Sequence, residues 1–231
     1  MKPILLLAAT LMIALSIVAQ DSSREQKINK IFELREQINV LEQDILRPSD
    51  SDSAEAAAQG LTAVRLLPRE KYDGVLKTRG GGSYFSFIRN AHEYGYGNDI
   101  GLEQGNLKVG FAGADYGLLA DLGNVTLASV TTESPEIAFL VGYKPPSEMT
   151  EIRNEQSKSH KYETPAATFS DRVVATVSHS YVLRSIDFDT SDVLVALKII
   201  RKDADGSLII FWKQLKRFDK PVIDRDGTKA R

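Results

Sequence analysis

With 231 residues, 42% of them hydrophobic and 26% charged, the chain has the composition of a folded globular protein, and disorder throughout is excluded. A net charge of −2 gives no electrostatic basis for holding nucleic acid or an anionic membrane surface. No cysteine is present, so disulfides, thiolate metal sites, a cysteine nucleophile and a lipidated cysteine are all ruled out, and stability has to come from packing.

Residues 1–20 read as a secretory signal peptide: Lys2, an apolar run from Ile4 to Val18, then Ala19-Gln20 ahead of polar Asp21. That run of about fifteen residues is shorter than the ~20 a bilayer requires, so a cleaved signal is expected and a permanent membrane span is not. The mature protein is expected to be secreted or periplasmic. An exported chain without cysteine points to a bacterial source.

Over residues 21–46 an amphipathic helix is expected, because Ile31, Leu34, Ile38, Leu41 and Ile45 recur at alternating spacings of three and four. Its narrow seam either docks on the rest of the chain or self-associates as a short coiled coil, making a homo-oligomer through residues 24–46. Residues 47–60 (RPSDSDSAEAAAQG) are small and polar and read as a linker, with Ala54–Gln59 able to add a turn of helix.

From residue 61 the apolar period changes to two, with turn signals about every ten residues, as in an antiparallel β domain. Expected strands are 61–67, 83–89, 99–103, 107–112, 116–122, 136–143, 172–188, 193–201 and 207–218. Gly105-Asn106 suits a two-residue hairpin turn, and Asp203–Gly206 the turn of a C-terminal meander. A polar insertion occupies 144–170 and a flexible tail 221–231. The fold class is therefore predominantly β, an antiparallel sandwich or partly open barrel with an N-terminal amphipathic helix, α+β overall.

The segment Gly80–Gly101 (GGGSYFSFIRNAHEYGYGNDIG) concentrates glycine, aromatic and polar residues. Glycines allow a ligand to approach the backbone, and tyrosines offer flat area with a hydroxyl. Tyr84, His92, Glu93, Tyr94, Tyr96 and Asp99 are the candidate ligand-binding residues. His92 beside Glu93 is raw material for general-base chemistry. The alternative reading makes the segment's aromatics core.

Recognisable catalytic and cofactor signatures are missing. No Lys-Ser/Thr follows Gly80–Gly82, the spacing of Gly95, Gly97 and Gly101 misses the dinucleotide fingerprint, and no Gly-x-Ser-x-Gly elbow or paired-histidine motif occurs. No cofactor and no metal are expected; the acids of DFDTSD (187–192) and DADG (203–206) read as hairpin turns. The leading expectation is a secreted, non-catalytic binding or structural protein for an unknown protein or small-molecule ligand. The alternatives are a secreted hydrolase using His92 or His179, and a β-barrel carrier of an apolar ligand.

Overall fold

A computed structural model describes residues 3–225, with side chains from Ser23 onward. The side chains of the expected signal, and residues 226–231 of the expected tail, lie outside the described part.

Contacts divide the chain into two units, Met1–Ile45 and Leu46–Arg231. The first is helix α1, whose bounds are Pro3–Leu46. Neither glycine nor proline interrupts the sequence between Ile4 and Arg47, and Pro48 stops it. The expected seam is present, and Ile31, Leu34, Ile38, Leu41 and Ile45 are all exposed. Among the described residues no helix is long and apolar enough to cross a membrane.

The second unit is built on two antiparallel sheets that do not close into a barrel. Sheet A has the order β1 (Thr62–Leu66), β12 (Leu208–Phe218), β11 (Ser191–Lys202), β10 (Ser180–Asp187), β6 (Tyr116–Gly123). Sheet B runs β3 (Ala91–His92), β2 (Tyr84–Ser86), β4 (Ile100–Glu103), β5 (Asn106–Lys108), β9 (Arg172–Val174). The C-terminal meander β10-β11-β12 fills the centre of sheet A, as its β-branched runs predict. The inner faces meet in one core, to which Phe85, Ile100 and Leu107 come from sheet B and Leu183, Val195 and Trp212 from sheet A. Each such buried side chain is worth roughly 1.5–3 kcal/mol.

Sheet A is also covered on its other face, where Val182, Leu194 and Phe211 pack beneath Ala56, Ile137, Leu140 and Phe169. The cover is made largely of segments read differently from sequence. Residues 47–60 contain helix α2 (Asp50–Ala58), capped by the Ser49 hydroxyl accepting from the Asp52 N–H at 3.1 Å. Ala56 is fully buried and Asp52 pairs with Arg201 at 2.8 Å, so this segment docks and does not behave as a linker. The expected strand 136–143 is helix α4 (Pro135–Gly142), started by Pro135 and burying Ile137 and Leu140 one turn apart. The polar insertion holds helix α5 (Met149–Lys158) and a hairpin of β7 (Tyr162–Glu163) with β8 (Thr168–Phe169).

Arg184 ties α4 to the sheet. Fully buried, it grips Asp192 through two hydrogen bonds of 2.8 and 2.6 Å and donates to the Leu140 and Tyr143 carbonyls at the end of α4.

Two further corrections concern register. The expected strand 172–188 is broken, because the chain leaves sheet B after β9, turns through Ser178 at φ 69° and enters sheet A at β10. The β4–β5 hairpin turns at Gln104-Gly105 (φ 49° and 73°), one residue earlier than Gly105-Asn106, with Glu103 opposite Asn106.

Candidate functional site

The outer face of sheet B carries a hollow of about 330 Å³. Strand register builds it. Tyr84 on β2 and Lys108 on β5 both stand opposite Gly101 of β4, and Glu103 lies two residues further on, so all three side chains share one face. Gly101 is required between them: a Cβ there would lie 2.8 Å from the Tyr84 ring and 2.9 Å from that of Phe111. Tyr84 meets Tyr94 and Phe111 edge to face, at centroid distances of 5.1 and 5.0 Å. Arg79 covers the Tyr94 ring at 4.7 Å.

Glu103 organises the polar side. It accepts from Lys108 Nζ at 2.6 Å, from Arg69 Nη1 at 2.8 Å and from the Tyr84 hydroxyl. Arg69 reaches in from helix α3 (Arg69–Tyr72) and also pairs with Asp73 at 3.2 Å. Burial opposes ionisation of Glu103, but its three donors win and hold its carboxyl at about 2. Tyr84 moves the other way, kept protonated by burial and by the carboxylate it donates to.

Asn98 is the feature of the hollow that the protein leaves unfinished. It lines the cavity from the β3–β4 loop, it is only 3% exposed, and neither its amide oxygen nor its amide nitrogen has a partner. A buried amide left so costs about 1–3 kcal/mol unless something satisfies it.

The sequence-predicted residues divide. Tyr84 and Tyr94 line the hollow; Tyr94 is half-exposed. Tyr96 is exposed and lies beside Gly113, where an added Cβ would come 3.2 Å from its ring. His92 stands opposite Phe85 in the β2–β3 pair, places Nε2 3.3 Å from the Leu46 carbonyl and leaves Nδ1 without a partner. Burial pushes its imidazole below the usual histidine range. Glu93 forms an ion pair with Arg89. Asp99 is fully buried and accepts from the Phe87 N–H at 2.7 Å and the Ser86 hydroxyl at 3.3 Å, away from the tyrosines. Sequence reasoning missed Asn98, Glu103, Lys108, Arg69 and Phe111. The period-two relation of Glu103 to Gly101 was a usable signal; the approach of Arg69, over thirty residues distant, was not.

Gly80, Gly81 and Gly82 serve packing. All three have positive φ, and a Cβ on Gly81 would lie 2.3 Å from the Tyr72 backbone and one on Gly82 2.1 Å from Leu46.

Neither a family model, nor a curated protein, nor a solved structure matches this chain. Functional inference therefore rests on its own geometry.

Three other clusters contain titratable groups. Asp187 is buried with Oδ2 unpartnered; burial and the neighbouring Asp115 and Asp99 carboxyls push it up to about 8 against the pull of Arg89. Burial likewise lifts Asp115 to about 6, although it accepts the Phe188 N–H at 3.0 Å. Among the described residues no group of three histidine or acidic side chains is placed to hold a metal ion. His160 lies 2.7 Å from Asp171 and His179 2.9 Å from Asp121. Asp121 also lines a larger hollow of about 590 Å³ with Ser129, Ser134 and Ser170.

Proposed function

We propose that this chain is an exported, non-catalytic binding protein whose ligand occupies the hollow on the outer face of sheet B. The observation that carries this reading is Asn98, a buried amide in the cavity wall whose donor and acceptor are both unused. A ligand that supplies both partners recovers the cost of that amide. A secreted or periplasmic setting and a bacterial source follow from the N-terminal export signal and the lack of cysteine. Helix α1 supplies the means of self-association, since its seam from Ile31 to Ile45 is exposed and spaced for a second copy. Replacing Leu34 and Leu41 by Lys is expected to convert an oligomer to monomer in sedimentation velocity without changing the melting of the β domain.

The test of the binding reading is ligand-detected NMR against a library of small polar compounds, using the wild-type chain and Tyr94→Ala. Tyr94 is half-exposed, so its truncation is expected to weaken hits about tenfold while the melting temperature moves little. Hits that ignore Tyr94→Ala would place binding elsewhere.

A hydrolase reading is favoured by one observation, the His179–Asp121 pair at 2.9 Å, in which the carboxylate orients Nδ1 and Nε2 is left for chemistry beside a serine-bearing hollow. Its test is ester and glycoside turnover in wild-type and His179→Ala protein; activity abolished by that change alone would replace the binding reading.

A further inference from the structure

We propose that the ligand of this hollow is a neutral polyhydroxylated ring, a single sugar unit, recognised by the Asn98 amide and the Tyr84, Tyr94 and Phe111 rings. The inference rests on the binding reading above and specifies its ligand class from charge, shape and hydrogen-bond type.

Charge comes first. The lining contains two cations, and each is already engaged: Lys108 with Glu103 at 2.6 Å, Arg69 with Glu103 at 2.8 Å and with Asp73 at 3.2 Å. Two carboxylates thus answer the two cations of the lining, and the third cation beside it, Arg79, lies over the Tyr94 ring at 4.7 Å. Glu103 in turn is surrounded by three donors and offers little to an ammonium group. A neutral ligand is what this balance accepts.

Hydrogen-bond type comes second. An amide presents an acceptor and a donor side by side. Adjacent hydroxyls on a sugar ring each donate and accept, so one pair satisfies both ends of Asn98 in either orientation of the amide.

Shape comes third. About 330 Å³ is at the small end of the roughly 300–1,000 Å³ found for ligand pockets, room for one ring and its substituents. Tyr94 and Phe111 meet Tyr84 at interplanar angles of 75° and 82°, so their contacts with it form no parallel slot for a flat heterocycle. Aromatic carbon beside planar polar side chains suits a puckered ring with apolar C–H faces and a polar rim.

The experiment titrates the full-length mature chain with glucose, galactose, mannose and N-acetylglucosamine, and in parallel with uridine, glutamate and inorganic phosphate, by saturation-transfer NMR. Wild type is compared with Asn98→Ala and Phe111→Leu. At least one sugar is expected to bind, with about tenfold loss or more in Asn98→Ala, which removes two hydrogen bonds, and an unchanged or higher melting temperature because an unsatisfied buried amide is gone. Phe111→Leu keeps an apolar wall and is expected to weaken the same sugar less. If uridine or an anion binds in a manner lost with Asn98→Ala while no sugar does, the sugar assignment is overturned and the hollow stands as the site. Sugar binding unaffected by both variants overturns the assignment by placing the site elsewhere. If none of the probes binds, the sugar assignment falls, and the NMR library of the binding reading then decides separately whether the hollow is a site at all.

Discussion

Sheets A and B are both five-stranded and share one core, yet they are finished in opposite ways. Sheet A has strands of up to 12 residues and is covered on both faces, so every residue of β10 is buried, including the polar ones. Sheet B has strands of 2 to 4 residues, and its outer face is left to a charged network, three aromatic rings and an unpartnered amide. Arg184 in sheet A is satisfied by Asp192 and two carbonyls, whereas Asn98 on the sheet B side has neither amide atom partnered; the unpartnered buried atoms of sheet A are single ones, Asp187 Oδ2 and Trp212 Nε1. The difference separates a sheet whose central buried ion pair is closed on itself from one whose outer face keeps a whole amide without partners.

The sharpest way to break this contrast is to unpair a polar group in sheet A. Arg184→Ala leaves the Asp192 carboxylate buried without its cation and frees the end of α4, and it is expected to cost about 3–5 kcal/mol in urea denaturation. A loss below about 1 kcal/mol would show that the covered face of sheet A tolerates unmet polarity as sheet B does. The double change Arg184→Met with Asp192→Leu should recover most of that loss, since an apolar pair removes the stranded charge.

Titration separates the regions by sign. Asp187, at the end of β10, has its folded pKa raised to about 8, so the folded state binds a proton the unfolded chain has released. Its contribution is complete below the unfolded value near 4 and is lost as pH rises through about 8. Asp115, raised to about 6, acts in the same direction over the lower part of that window. Melting temperature is therefore expected to fall between about pH 4 and pH 8, by an amount on the order of a few kcal/mol in stability, and Asp187→Asn should flatten the fall. A profile that Asp187→Asn leaves unchanged would remove this carboxyl from the account.

Glu103 in sheet B has the opposite sign. Its pKa is held at about 2, so its contribution is present above the unfolded carboxylate value and is lost as pH drops towards 2. Being partly exposed, the network is worth less: Glu103→Gln is expected to cost roughly 1 kcal/mol at neutral pH. Chemical denaturation at pH 7 and pH 3 should show that cost shrinking at the lower pH, and a cost that grows would contradict the assignment.

How much of this could be read in advance differs by region. The meander and α1 were legible because their side chains are placed by neighbours in sequence, through a run of β-branched residues around the Asp203–Gly206 turn and a three-four spacing ended by Pro48. The strand assigned to 136–143 failed because an apolar run of that length does not declare its period. The docking of α2 was hidden because its helix is capped locally by Ser49 but held by Ala56 against sheet A and by Asp52 against Arg201, contacts made about 150 residues away. Of the site, Tyr84 and Tyr94 stood out by residue type.

The sequence by itself determined the fold class, the amphipathic N-terminal helix, the order of most strands and the segment from which the aromatic wall is drawn, because periodicity and turn chemistry act over a few residues. Only the tertiary structure decided that Asp99 is turned inward, that His92 stands against the Leu46 carbonyl, that Glu103 gathers Arg69, Lys108 and Tyr84, and that Asn98 is left without a partner. Burial and hydrogen-bond satisfaction are properties of segments brought together across the chain, and no local pattern of residues encodes them.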